Sequence, residues 1–121
     1  MAIYHKDWFV RQIEIAIRTI ALLIFNRKEI SYEILDENRQ SEADKLFLQL
    51  SMLLDGHKIN EAENLLYTLL DTDDRDYFAV AVDFYSRLNK MSDDELELGN
   101  FSREEVMSGL EDVKKLYGVS I

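Results

Sequence analysis

The chain has 121 residues, of which 47% are hydrophobic and 31% charged, and it contains no cysteine and no proline. This length and composition predict a single domain over residues 1–121 with a core that needs no disulfides or thiolate metal sites. The formal net charge of −10 repels phosphate backbones, which argues against nucleic-acid binding. Residues 1–31 carry about +2 of formal charge, so about −12 falls on the remainder.

The apolar segments are too short for a membrane protein. The longest uncharged run near the N-terminus, Thr19 to Phe25, is far shorter than the ~20 residues that a membrane-spanning helix needs. Arg27 and Lys28 follow this run, whereas a signal peptide carries its cations ahead of the apolar region. We therefore expect a cytoplasmic protein without a membrane partner.

The stretch from Trp8 to Phe25 predicts the first helix, which would begin after an N-cap at Asp7 and end near Arg27. Met1 to Lys6 is then a short lead-in. At about 100° per residue, one apolar stripe of this helix faces the core. It consists of Phe9, Ile13, Ala16, Ile17, Ile20 and Ile24.

A second apolar stripe runs along the opposite side of the same helix. Trp8, Ile15 and Leu22 follow one another at intervals of seven residues, beside Arg11 and Arg18. A helix with two apolar sides is either covered from both sides within its own domain or used as an interface. The second alternative predicts a site for a protein partner or for a second copy of the chain, as a homodimer through the first helix.

Amphipathic patterns and capping signals predict an all-α fold of about six helices packed around the first one. The starts of the later helices are assigned to Ser41, Asn60, Asp73 or Asp74, Ser92 and Ser102. Glycines mark three of the ends, at Gly56, Gly99 and Gly118. Residues 28–40 favour a short helix or a bent continuation of the first, and a strand is the alternative.

Aromatic residues are concentrated on the fourth predicted helix, which should run to about Lys90. A pocket or groove there would be lined by Tyr67, Tyr77, Phe78 and Tyr85. Core packing is the alternative explanation for these rings.

No pattern of catalytic or metal-binding residues is apparent. His5 and His57 are the only histidines, and neither has the glutamate three residues earlier that a helical di-metal centre requires. The acidic cluster after Leu70 lacks the glycine and glutamate of an EF-hand and instead predicts a turn with an N-cap. It comprises Asp71, Asp73, Asp74 and Asp76. We therefore expect no enzyme activity, no cofactor and no bound metal.

Two resemblances bear on these expectations. Residues 46–74 are similar to a tetratricopeptide-type helical hairpin, although Gly56 to Ala62 is one residue longer than that motif's spacing. Three stretches, DWFVRQIE (7–14), YEILDE (32–37) and KINEAENLL (58–66), resemble an uncharacterised family of small helical proteins from Firmicutes. That family has no assigned activity, so the resemblance implies a bacterial cytoplasmic protein and leaves the function open.

Together these observations predict a non-enzymatic helical interaction module, such as a small adaptor or regulator. One alternative is a small-molecule binder or enzyme that uses the aromatic residues of the fourth helix. A second alternative is an acidic protein that imitates nucleic acid toward a basic partner.

Overall fold

The structure, a computed structural model, describes the backbone of residues 2–121 and the side chains from Lys6 onward. Within these residues the fold is all-α, with six helices and no strand, as predicted. The helices are α1 (Ala2–Phe25), α2 (Glu42–Asp55), α3 (Ile59–Leu69), α4 (Arg75–Lys90), α5 (Asp93–Leu98) and α6 (Arg103–Leu116).

Side-chain caps begin four of the helices at the predicted positions. Ser41, Ser92 and Ser102 each accept a hydrogen bond from the backbone N–H three residues later, and the acidic residue there accepts one from the cap's own N–H. These reciprocal capping boxes begin α2, α5 and α6. Asp74 begins α4 by accepting from the N–H of Asp76.

Two predicted helix starts are wrong. α1 begins at Ala2 rather than after Asp7, since no glycine or proline interrupts the preceding residues; Met1 lies outside the described chain. Lys6 lies within this first part of the helix and pairs with Asp93 of α5 at 2.8 Å. α3 begins at Ile59, so Asn60 is helical; its side-chain amide donates to the carbonyl of Gly99 at 3.3 Å instead of capping the helix.

The segment between α1 and α2, residues 26–41, contains no helix in the structure, which corrects the prediction for residues 28–40. Ile30 is buried in the core, and the backbone N–H of Tyr32 donates to Asp83 of α4 at 3.1 Å. These contacts with distant parts of the chain favour the irregular path over the local apolar periodicity. We call residues 26–41 the connecting segment.

The helices pack around α4 and not around α1 as predicted, because α4 is the helix that neighbours surround. It packs against α1, α2 and α6, while α1 also contacts α6, and α2 and α3 form a hairpin. Every residue from Val80 to Ser86 is buried, because neighbours surround this part of the helix. α1 therefore lies at the outside of the bundle, with α4 and α6 on one side of it.

Among residues 2–121, no helix combines the length and apolar character needed to cross a membrane.

Candidate interaction surface

The inner face of α1 is fixed to the rest of the protein. Ile13, Ile17, Ile20 and Ala21 are buried in the core, as the first predicted stripe requires. The amide of Asn89 donates to the carbonyl of Val10 at 3.1 Å, which joins the end of α4 to the middle of α1. These contacts hold the helix in one orientation.

The second stripe of α1 is open to solvent. Trp8 and Ile15 are each 51% exposed, and Leu22 is 60% exposed. These values exclude the alternative that the chain's own helices cover both sides of α1. We call Trp8, Ile15 and Leu22 the outer stripe.

Leu23 enlarges this apolar surface at the C-terminal end of α1, where its side chain is 62% exposed. Leu23 is not among the surface residues predicted from the sequence. Leu23 is rotated by about 100° around the helix from Leu22. It therefore does not continue the seven-residue spacing that defines the outer stripe. Helical projection of every apolar residue of α1 would have revealed it.

Charged residues of alternating sign line one edge of the outer stripe. Asp7, Arg11, Glu14 and Arg18 are all exposed, and on a helix they fall on the same side of Trp8 and Ile15. Glu14 and Arg18 form the expected pair at 2.5 Å. Arg11 and Arg18 thus lie beside the outer stripe, as predicted. We call these four residues the charged edge.

A cavity of about 450 Å³ adjoins the charged edge. It lies between α1, the end of α4 and the connecting segment, and Ile17 and Ile30 contribute apolar walls. Arg18, Lys28 and Lys90 contribute cationic side chains. Glu14 and Glu29 contribute acidic side chains. The surface of α1 therefore continues from an apolar ridge into a depression lined by charges of both signs.

Two carboxylates hold the connecting segment against α2 and α4. Asp83 accepts hydrogen bonds from the N–H of Tyr32 at 3.1 Å and from Arg87 at 3.0 Å. Burial raises the pKa of Asp83, although Tyr32 and Arg87 act in the opposite direction. Asp44 of α2 accepts from the hydroxyl of Tyr32 at 2.5 Å. Both carboxylates are occupied by structural partners.

The pKa of Asp44 is shifted in the opposite direction to that of Asp83. Burial by itself would raise the pKa of this carboxyl, but hydrogen bonds from Tyr32 and Ser41 outweigh it and lower the pKa below the ordinary 3.8. The two carboxylates that hold one tyrosine are therefore shifted in opposite directions.

The predicted aromatic pocket is not formed as a common cavity. Phe78 and Tyr85 are 2% and 0% exposed, so they fill the core instead of lining an open site, which corrects the prediction for these two residues. Phe78 stacks on Tyr117 at a centroid distance of 4.5 Å. Tyr67 and Tyr77 lie at the margin of the core.

The hydroxyl of Tyr85 belongs to a small polar cluster between α3, α4 and α6. It donates to Glu63 at 2.7 Å and lies 3.4 Å from the hydroxyl of Tyr67, which donates to the carbonyl of Gly109. Burial raises the pKa of both Tyr85 and Glu63. The hydroxyl groups of Tyr67 and Tyr85 therefore have their hydrogen-bond partners within the packed helices.

The remaining candidate residues form turns. Asp71 accepts from the N–H of Asp73, and Asp74 caps α4, as the turn interpretation predicts. His57 lies in the turn between α2 and α3, whereas the side chain of His5 is outside the described residues. Among the side chains that are described, no group of three potential ligands lies close enough to hold a metal ion.

The fold and this surface define a class of protein: a small helical bundle in which one peripheral helix has a buried apolar face and an exposed one. A family model described as a family of unknown function (DUF6483) matches residues 3–118. Because the match covers nearly the whole chain, the protein belongs to this family. Neither a curated protein nor a solved structure is significantly similar to the chain.

Proposed function

We propose that this protein is a non-enzymatic interaction module, a small adaptor or regulator that docks another protein on the outer stripe of α1. The exposure of Trp8, Ile15 and Leu22 carries the proposal. The three residues are spread over about 21 Å of one helix, at a rise of 1.5 Å per residue. Apolar side chains exposed together along one side of a helix are typical of an interaction site.

Other exposed apolar residues do not form a comparable surface. Leu35, Met52 and Leu98 are highly exposed, but they lie on the connecting segment, α2 and α5, respectively. Among the described side chains, the largest aligned set on another helix is a pair, Met52 with the 39% exposed Leu48 four residues before it. Isolated apolar side chains of this kind are common on monomeric proteins. The outer stripe differs because one rigid helix aligns its members.

The rigidity of α1 favours binding. Its inner face is buried, Asn89 donates a hydrogen bond to the carbonyl of Val10 in the middle of the helix, and Arg75 donates one to the carbonyl of Ile24 near its C-terminal end. A surface that is already ordered loses less conformational entropy on association than a flexible one. Tryptophan and arginine, both present here, are enriched among residues that dominate binding energy.

The cellular setting is part of the same proposal. The absence of cysteine and the resemblance to a Firmicutes family support a role in the bacterial cytoplasm. The α2–α3 hairpin supports a relationship in architecture to tetratricopeptide units, which commonly serve protein binding.

Replacing Trp8 with Ser and Ile15 with Asn tests the interaction role. We expect the double variant to lose a stoichiometric partner, whether foreign or a second copy, when the tagged protein is recovered from lysate of its natural host. Recovered masses and stoichiometry identify the partner. Circular dichroism should show an unchanged helical spectrum, because both side chains are half exposed.

A matched control replaces two exposed apolar residues elsewhere, Met52 and Leu98, with Ser. These residues are at least as exposed as the outer stripe, so the control removes similar apolar area without touching α1. It should retain the partner. Retention of every association by the Trp8/Ile15 variant, or its unfolding, would contradict the proposed function.

A further inference from the structure

We propose that the outer stripe pairs with the outer stripe of a second copy of this chain, with the two α1 helices antiparallel around a two-fold axis beside Gln12 and Ile13. The inference rests on the proposed function, since it names the partner of the same surface. The evidence for this pairing is the order of the charged residues along α1.

The charged edge is self-complementary when the helix is reversed. Its signs alternate, with Asp7 negative, Arg11 positive, Glu14 negative and Arg18 positive. In an antiparallel pair, residues equidistant from the axis on opposite sides face each other. The midpoint of Asp7 and Arg18 and the midpoint of Arg11 and Glu14 both fall between Gln12 and Ile13, so one axis matches both pairs.

The two-fold symmetry also brings the same edges of the two helices together. Asp7 then faces Arg18 of the second copy, Arg11 faces Glu14, and each contact occurs twice. A parallel pair would instead bring the charged edge of each helix against the opposite edge of the other, where the uncharged Gln12 and Thr19 lie, so none of these opposite-charge pairs would form. The charge order therefore selects the antiparallel arrangement.

The same axis aligns the apolar residues. Trp8 comes within about two residues, or about 3 Å along the helix axis, of Ile15 of the second copy. α1 spans Ala2–Phe25, so its midpoint lies one residue from the proposed axis and the two helices overlap along almost their full length. Trp8, Ile15 and Leu22 by themselves are symmetric about Ile15, so the charged residues and not the apolar ones fix this register.

The existing pair within α1 is compatible with this contact. Glu14 accepts from Arg18 at 2.5 Å, and both side chains are largely exposed. A carboxylate has several acceptor positions and a guanidinium has five donors, so each can hold an additional partner. The pairs between copies would join the pairs within each helix into one network.

The net charge of −10 on each copy opposes association at long range. Residues 1–31 carry about +2 of it, so the acidic groups are concentrated elsewhere in the chain. At physiological ionic strength the Debye length is about 8 Å, which screens the distant charges more strongly than those in contact. Dimerisation is therefore expected at moderate salt.

Charge reversal of single residues tests the register. Arg11→Glu places two like-charged pairs in its own homodimer, and Glu14→Arg does the same with the opposite sign. Each change should weaken self-association at least about tenfold. An equimolar mixture of the two variants restores every opposite-charge pair and should form a heterodimer as tight as the wild-type homodimer.

Sedimentation equilibrium and light scattering over a wide concentration range provide the readout, and circular dichroism checks that each variant is folded. A wild-type chain that stays monomeric would overturn the dimer. Loss of a foreign partner by the Trp8/Ile15 variant would still support the interaction module in that case. A wild-type dimer insensitive to both reversals, or variants whose mixture fails to associate, would overturn the proposed register.

Crosslinking gives a second test that does not depend on charge. The chain lacks cysteine, so Gln12→Cys introduces a single thiol within about 1.5 Å, along the axis, of its counterpart in the other copy. Thr19 lies on the same side of the helix as Gln12, across the outer stripe from the charged edge. The thiol of Thr19→Cys would be about 20 Å along the helix axis from its counterpart. A short bismaleimide should link Gln12→Cys into dimers and leave Thr19→Cys monomeric; the reverse result would overturn the arrangement.

Discussion

Gly109 is a point of close contact between α6 and Tyr85 of α4. A Cβ added there would lie 2.5 Å from two atoms of the Tyr85 ring system. Tyr85 is fully buried, and its hydroxyl donates to Glu63 at 2.7 Å, so the ring cannot move without breaking that bond. The missing side chain at position 109 thus makes room for the largest fully buried side chain of the central helix.

Gly109→Ala should therefore destabilise the protein. Alanine is intrinsically favoured over glycine inside a helix by about 0.5–1 kcal/mol, but overpacking of a core costs typically about 1–3 kcal/mol. We expect the free energy of unfolding, measured by urea denaturation, to fall by about 1–2 kcal/mol.

The control for this change is Gly56→Ala. A Cβ at Gly56 would meet its nearest atom at 3.7 Å, an ordinary contact, and the backbone there has a negative φ. Its unfolding free energy should stay within about 0.5 kcal/mol of the wild type. Equal stability of the two variants would contradict the role assigned to Gly109.

The close packing of Gly109 against Tyr85 could not be predicted from the sequence. Gly109 is an unremarkable interruption of a helical pattern until Tyr85 is placed against it. Likewise, Phe78 and Tyr85 suit a pocket as well as a core when only their helical spacing is known. Solvent exposure depends on which neighbouring helices cover a side chain, and the spacing within one helix does not contain that information.

At the scale of elements, the connecting segment is held by carboxylates from two helices. Asp83 of α4 binds the backbone of Tyr32, and Asp44 of α2 binds its hydroxyl. The pKa of Asp83 is raised by burial, whereas hydrogen bonds from Tyr32 and Ser41 lower that of Asp44. The stability that each attachment contributes should therefore change in opposite directions with pH.

The folded state binds a proton at Asp83 more tightly than the unfolded state does. The stability contributed by Asp83 should decrease as the pH rises from 3.8 through the raised pKa. For Asp44 the folded state binds the proton less tightly, so its contribution is present above 3.8 and is lost as the pH falls through the lowered pKa.

Unfolding free energies of the wild type, Asp83→Asn and Asp44→Asn, measured across these pH ranges, test both signs. The advantage of the wild type over Asp83→Asn should shrink as the pH rises above 3.8. Its advantage over Asp44→Asn should grow as the pH rises toward 3.8. The slopes matter, because Asp44→Asn also alters the cap of α2; slopes of the same sign would contradict the assignment.

The sequence predicted elements well wherever the deciding contacts are local. Ser41, Ser92 and Ser102 begin helices through bonds to residues three positions later, and the sequence shows both partners. The connecting segment was predicted incorrectly because its conformation depends on Asp83, which lies 51 residues from Tyr32. The outer stripe was visible from its seven-residue spacing, but only the fold shows that α4 and α6 cover the opposite side.

For the molecule as a whole, repulsion among the excess acidic groups is the main electrostatic contribution that opposes folding. A net charge of −10 repels itself more strongly in the compact state than in the unfolded chain. The ion pairs with both side chains largely exposed, such as Arg18 with Glu14, contribute little in return. Screening should therefore stabilise the fold.

The melting temperature should rise by a few degrees when sodium chloride is increased from about 0.01 M to about 0.15 M, because the Debye length shrinks from about 30 Å to about 8 Å. Calorimetry at neutral pH provides the measurement. The same titration near the isoelectric pH is the control, where the rise should largely disappear. A melting temperature that falls with salt at neutral pH would show that local ion pairs outweigh the net repulsion.

The way the connecting segment is anchored determines what a break in the chain would do. Tyr32 is bound to α2 and α4, while the turn at Asp36–Asn38 lies beyond it and is exposed. A cut in that turn would leave α1 and Tyr32 on one fragment and the remaining helices on the other. The buried inner face of α1 would still join them, so this turn divides the protein into two complementary fragments able to reassemble into one fold.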